Sequence, residues 1–236
     1  MKKSFLGPFE WLLIAGTFAC PLLTAFFSPD SRSIFANWEW WLTFVASILN
    51  IFCCVCSARG NSWTFLFGAI YNALYSFYCI KTAHYGNAAV YGLFFLPMQL
   101  VGWLRWRKIG TLGDSDRVAA KLLSARQRIL LLSAVLLGMA VLLLVLKYVN
   151  GRDIVVDAIC TALCVLGQTL LTLAYFEQWF IWIAVNLLTV VLWVLSFFNG
   201  GYNLSDLNLA ICYFFVLLSS LNGLRVWLKL SKGVTD

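Results

Sequence analysis

The sequence predicts an all-α, multi-pass membrane protein, and three observations carry that expectation. Of its 236 residues, 62% are hydrophobic and only 11% are charged, whereas a soluble domain is about a quarter charged. Several apolar runs approach or exceed the ~20 residues that cross a bilayer as a helix. The runs are continuous, where a membrane barrel would show short alternating segments.

Eight helical segments follow: 9–27, 38–58, 61–80, 84–106, 126–149, 153–175, 178–198 and 206–230. The first follows Lys2 and Lys3 but has no small-residue cleavage site, so it is expected to remain as an extra N-terminal helix. In 38–58, Thr43, Ser47, Asn50, Cys54 and Ser57 line one face, and in 61–80 Gly68, Asn72, Tyr75 and Ser76 do so. In 84–106 the face is Gly92, Phe95, Gln99, Gly102 and Trp106. Segment 126–149 contains "ILLLSAVLLGMAVLLLVL", apolar all round, which reads as a linker without chemistry. In 153–175 the face is Asp157, Thr161, Gln168 and Thr172. In 178–198 it is Trp179, Trp182, Asn186, Thr189 and Trp193, and in 206–230 Tyr213, Val216, Ser220, Gly223 and Trp227. All these sets fall at helical spacing, so each is one face. Turn residues separate the segments, as in "SPDSRS", "SARGN", "AHYGN", "KYVNGRD" and "FFNGGYN", and only 107–125 is long and polar.

Placing 107–125 on one side puts 13 of the 17 Lys and Arg there and four opposite, which makes that side the cytoplasm. The protein is then expected in the inner (cytoplasmic) membrane with both termini on the cytoplasmic side, provided that 9–27 crosses; if it lies along the surface, the N-terminus alone changes side. The net charge of +7 is this bias, and the chain has no soluble basic domain to hold nucleic acid. The eight cysteines lie within apolar runs and read as small hydrophobes. "CCVC" (53–56) has no His or acid near it to complete a metal site, and no metal or cofactor is expected.

The chain also repeats itself. "PMQLVGWLRWRK" (97–108) aligns with "LSSLNGLRVWLK" (218–229), which sets Gly102 on Gly223, Trp106 on Trp227 and Lys108 on Lys229. "WTFLFGAIYN" (63–72) aligns with "EQWFIWIAVN" (177–186), which sets Asn72 on Asn186. Each copy is a three-helix unit, and the single span between them preserves the sense of insertion. The expected architecture is therefore 3+1+3 in two parallel repeats, as in SWEET-type transporters, plus the N-terminal helix. The organisation is 1–37 N-terminal helix and loop, 38–106 first bundle, 107–152 cytoplasmic connection and linker helix, 153–230 second bundle and 231–236 tail.

Polar residues deep in a span must face a neighbour or a cavity. Gly68, Gly92, Gly102, Gly223, Thr43 and Ser57 read as packing positions, since small residues join membrane helices. Trp63, Trp106 and Trp227 lie near span ends, where aromatic belts fall. Trp182 and Asn186 sit one turn apart well inside a span, beside Trp179 and Trp193, and helix glue does not need bulky rings. They read as ligand contacts. Gln99, Gln168, Asn72 and Asn50 fit either reading.

The faces offer rings, carboxamides and hydroxyls with little charge. Of the acids in the segments, Asp157 alone lies beyond the first two residues, still close to an end, and the lone His84 falls in the turn "AHYGN". No paired-acid, Walker or nucleophile motif is present, so an enzyme or ATPase is not expected. The pathway suits a small, neutral or singly cationic ligand with a flat ring and hydroxyls. Tryptophan faces attract a cationic ring, and amides read a carboxamide or sugar hydroxyl. A phosphate would find no partner.

"FEQWFIWIAVN" (176–186), "LGQTLL" (166–171) and "PMQLVGWLRWRK" (97–108) resemble the vitamin transporters of the PnuC family. The resemblance covers most of 38–230, and its E-x-W-x-x-W element is Glu177, Trp179 and Trp182. It implies a SWEET-like 3+1+3 fold and transport of nicotinamide riboside by facilitated diffusion, with cytoplasmic phosphorylation trapping the product for NAD biosynthesis. It also implies a homotrimer. Trp182 and Asn186 would contact the nicotinamide, with Gln99, Gln168 and Asn72 adding polar contacts; Asn50, Trp179 and Tyr213 complete the candidate set. Relatives carry thiamine or other vitamins, so that alternative stays open, as do a SWEET-like sugar carrier and a non-transporting scaffold. Ser220 stands where the repeat would place a glutamine, so an asymmetric pocket is expected.

Overall fold

The computed structural model describes residues 6–28, 31–81, 88–109, 117–148, 154–199 and 204–232. His84, Asp114, Asp116 and Asp153 lie outside these residues, as does the side chain of Asp157. The fold is all-helical. Its helices are α1 (Pro8–Phe26), the short α2 (Ser31–Ala36), α3 (Trp38–Ala58) and α4 (Trp63–Lys81). A π-helical run, Val90–Phe95, continues directly into α5 (Leu96–Ile109). Then come α6 (Ala125–Tyr148), α7 (Ile154–Thr172), α8 (Gln178–Asn199) and α9 (Leu204–Leu230). By length and composition, Pro8–Phe26, Trp38–Ala58, Gln178–Asn199 and Leu207–Leu230 can each cross a membrane.

Local chemistry sets the ends. Asn37 caps α3 by accepting the Glu39 N–H at 2.8 Å, and Asn61 accepts the Trp63 N–H at 2.9 Å where α4 begins. Periodicity did not indicate α2 or the π run. The π run ends one residue short of Pro97. Pro97 has no N–H for the carbonyl four residues back, and a run of wider rings is one way a helix absorbs that loss.

The helices α3 and α4 pack along each other, as do α8 and α9. The helix α1 lies against α3 and α9, α3 also meets α9, α5 meets both α4 and α7, and α6 packs on α7. Much of α6 faces outward: Leu130, Leu132, Leu137 and Leu144 are exposed, as suits a lipid-facing helix. Close approach explains two glycines. A Cβ on Gly102 would overlap the Phe65 ring, and one on Gly223 would overlap Trp179.

One core cluster gathers at the end of the molecule where α3, α5, α7 and α9 finish, and includes Phe65, Trp106, Leu171, Trp179 and Trp227. This corrects the expectation that Trp106 and Trp227 are interfacial anchors, because they are 3% and 0% exposed. Their indole N–H groups are spent on backbone carbonyls, Trp106 on Leu171 at 3.0 Å and Trp227 on Ser57 at 2.9 Å. Trp63, at 52% exposed, keeps the belt character.

The turns after α3 and α7 have one geometry. Gly60 (φ 69°) and Ala174 (φ 60°) both adopt the left-handed conformation that closes a helix. The N–H groups of Asn61 and Tyr175 each reach back at 2.9 Å, to Cys56 and Leu170. Residues 117–123 run across both turns as a strap. Val118 donates its N–H to Gly60 O at 2.8 Å, and Lys121 donates to Ala174 O at 2.8 Å. Glu177 fastens the strap, accepting the Leu123 N–H at 3.0 Å and pairing with Arg128 at 2.9 Å. At the same end Glu10 of α1 pairs with Arg59 at 2.8 Å and accepts from Asn222 of α9 at 3.3 Å.

Candidate functional site

The polar faces turn inward. Asn186 on α8 is 5% exposed, so its amide must be satisfied within the protein. Its Nδ2 donates to Ser220 Oγ on α9 at 2.9 Å, and Ser220 Oγ donates in turn to Val216 O at 3.0 Å. Asn186 Oδ1 receives no hydrogen bond from the described residues. One turn earlier, Trp182 lies flat on α7 at Gly167. A Cβ there would come within 3.0 Å of the indole, so the missing side chain is what admits the ring. The next residue on α7 is Gln168, 5% exposed, whose Nε2 is buried without a partner.

The other wall is built by α4 and α5. Gln99 is 4% exposed and its amide sits against Gly68, so that a Cβ on Gly68 would lie 2.7 Å from Oε1. That Oε1 is buried and unpartnered. Asn72, one turn beyond Gly68, is also buried.

A tyrosine cluster joins these walls. The Tyr75 and Tyr91 rings lie 4.5 Å apart, Tyr71 stacks on Tyr75 at 5.8 Å, and the Tyr71 and Tyr91 rings meet edge to face at 6.1 Å. Tyr213 of α9 lies within electrostatic range of all three, and Cys164 of α7 within range of Tyr91 and Tyr213. Helices from both ends of the sequence therefore meet around tyrosine hydroxyls. Tyr71 and Tyr91 escaped the sequence reading. The four-residue Tyr71–Tyr75 spacing was a usable signal, whereas Tyr91 sits in the π run, which breaks the helical phase.

The remaining candidates are placed differently. Asn50 accepts a weak bond from Cys54 at 3.8 Å, a contact within α3. Trp179 is 2% exposed in the core cluster, with its ring 6.0 Å from Trp227 and its Nε1 unpartnered. The described ion pairs, Glu10–Arg59 and Glu177–Arg128, sit at the end with the strap. Among the described residues no group of His, Cys, Asp or Glu could hold a metal.

Fold and interior together define a class: an all-helical membrane transporter, with amides and rings along its inner faces. The chain belongs to the nicotinamide mononucleotide transporter family, whose model matches residues 40–229. It is similar to the nicotinamide riboside transporter PnuC of Neisseria mucosa, 32% identical over 87% of this chain and 75% of the relative. It is 26% identical to the PnuC of Haemophilus influenzae, over 98% of this chain and 96% of that one. A crystal structure of the vitamin B3 transporter PnuC superposes with a TM-score of 0.77 at 31% identity, covering 98% of this chain and 94% of the other.

Proposed function

We propose that this protein carries nicotinamide riboside across the cytoplasmic membrane by facilitated diffusion, with cytoplasmic phosphorylation trapping the product. The observation that carries this reading is the uncharged interior with unspent amides: Gln99 Oε1 and Gln168 Nε2 are buried and unpartnered. A buried amide without a partner costs about 1–3 kcal/mol, which a ligand's own donors and acceptors relieve. Trp182 packs on the pyridinium ring, and Asn186 Oδ1, which accepts from none of the described residues, accepts from the carboxamide. Gln99, Gln168 and Asn72 hold the remaining polar edges, with Tyr213 and its neighbours around the ribose. Asn50 and Trp179 act behind them, by position. The family's name points to a mononucleotide, but the inner faces described here offer no Lys or Arg to a phosphate. That favours the riboside.

The two bundles, α3–α5 and α7–α9, are read as parallel repeats on either side of α6. One constant offset maps Asn72 on Asn186, Gly60 on Ala174, Phe65 on Trp179 and Ser57 on Leu171. The acceptors Ser57 and Leu171 obey it, whereas the donors Trp106 and Trp227 stand seven residues further apart, and each indole reaches into the other bundle. With the Lys/Arg bias, the strap end is cytoplasmic and both termini are inside. The Trp106, Trp179 and Trp227 cluster then closes the cytoplasmic end, and release requires the bundles to part there. Assembly as a homotrimer completes the proposal.

Proteoliposome uptake tests it. Labelled nicotinamide riboside should enter, and the mononucleotide, thiamine and glucose should not. Uptake of thiamine or glucose in its place would transfer the reading to another vitamin or to a sugar, and no uptake of any solute would end it.

A further inference from the structure

A groove of about 620 Å³ runs between α4 and α5 on the outer surface of the bundle. Its walls are Phe65, Leu66, Ala69, Leu96, Leu100 and Trp103, with Pro97 and Gln99 at the base. Small Ala69 and the ring of Pro97 make the concavity. Leu66 and Leu100 are 37% and 64% exposed, so the groove opens outward, on two helices that the proposed topology reads as spans. One end carries the marks of a membrane interface. Trp63 and Trp103 meet there edge to face at 6.3 Å, and the Arg107 guanidinium stacks over Trp103 at 5.1 Å. Paired tryptophans sit at headgroup depth, and stacking fixes the cation there. Arg105, Arg107 and Lys108 are all exposed, and among the described residues none of them pairs with a carboxylate.

An apolar trough that rises to a basic cluster, with Arg107 stacked in place and no carboxylate partner among the described residues, has the shape and charge of one ligand class. We propose that the groove binds an anionic phospholipid, with an acyl chain along Leu66, Leu96 and Leu100 and the phosphate head group at Arg107 and Lys108. A zwitterionic lipid would fill the trough but leave the cations unmatched. Basic clusters flanking membrane helices select anionic head groups in this way. The groove meets the inner faces only at Gln99, which lies at its base, and the proposal does not depend on which solute those faces carry.

The test is native mass spectrometry of the full-length protein released from nanodiscs holding equal amounts of phosphatidylglycerol and phosphatidylcholine. Wild-type protein should retain phosphatidylglycerol preferentially. Arg107→Gln with Lys108→Gln, both at exposed positions, should reduce that preference about tenfold or more. Leu100→Trp, which blocks the trough from outside without entering the core, should abolish retention of either lipid. Equal retention of the two lipids by wild type would overturn the proposal. So would retention that survives Leu100→Trp. Loss of oligomer mass in Leu100→Trp with lipid retention unchanged would assign the groove to a second copy of this chain.

Discussion

The indoles of Trp106 and Trp227 lie 5.8 Å apart, and each donates its N–H to a backbone carbonyl far away in sequence, Trp106 to Leu171 of α7 at 3.0 Å and Trp227 to Ser57 of α3 at 2.9 Å. The acceptors, Leu171 and Ser57, stand near the ends of α7 and α3. Each carbonyl also accepts a turn N–H, Leu171 from Ala174 at 3.0 Å and Ser57 from Gly60 at 2.9 Å, so each indole is a second donor to a carbonyl that closes its helix. The same two bonds tie the bundles together at the end crossed by the strap.

Replacing either tryptophan by phenylalanine keeps most of the ring packing and removes the donor. Trp106→Phe and Trp227→Phe should each cost about 0.5–1.5 kcal/mol, the net worth of one hydrogen bond, because each carbonyl keeps its turn N–H. Thermal unfolding in detergent checks this. The two variants should couple in a double-mutant cycle, since both act on one interface.

Gly102→Ala and Gly223→Ala should both destabilise by about 1–3 kcal/mol through overpacking, because the new methyl groups would overlap Phe65 and Trp179. Pairing Gly102→Ala with Phe65→Leu should recover part of the loss in the same unfolding measurement. Gly138, with no atom near its Cβ position, is the control, and Gly138→Ala should be neutral or slightly stabilising.

Glu10→Gln should loosen α1. The Glu10 carboxylate pairs with Arg59, accepts from Asn222 and accepts the Gly7 N–H at 3.0 Å. Removing the charge leaves Arg59 with an 18%-exposed side chain and no counter-ion. Breaking a fully buried pair costs ~3–5 kcal/mol, and the partial exposure of Arg59 puts this loss at the low end. Limited proteolysis near the N-terminus, compared with wild type, reads the detachment of α1 directly.

Much of this arrangement was legible in the sequence, for physical reasons. Apolar length gives α1, α3, α8 and α9 as helices able to cross a membrane, and helical spacing gives the buried faces that carry Asn186, Gln99 and Gln168. Gly102 and Gly223 were readable as packing positions because small residues are what close helix approach demands. What escaped is what period cannot carry. Trp106 and Trp227 are near span ends in sequence, which suggests a belt, and only the packed fold shows the opposite bundle supplying their acceptors. Glu177 reads as one letter of a motif, yet it works as the clamp for residues 117–123, a contact across more than fifty residues. Tyr91 lay in a π run that shifts the phase of its face, so its meeting with Tyr71 and Tyr75 was invisible until the backbone was known.

The most direct test of the central claim is calorimetric titration of nicotinamide riboside into purified wild-type and Asn186→Ala protein, with folding of the variant verified by its unfolding temperature. The account predicts that wild type binds and that the variant's Kd rises about tenfold, the equivalent of one lost hydrogen bond to the carboxamide, ~1.4 kcal/mol. Ser220→Ala, which frees the Asn186 amide that Ser220 now holds, should fall between them. An unchanged affinity in folded Asn186→Ala protein, or no binding by wild type, would contradict it.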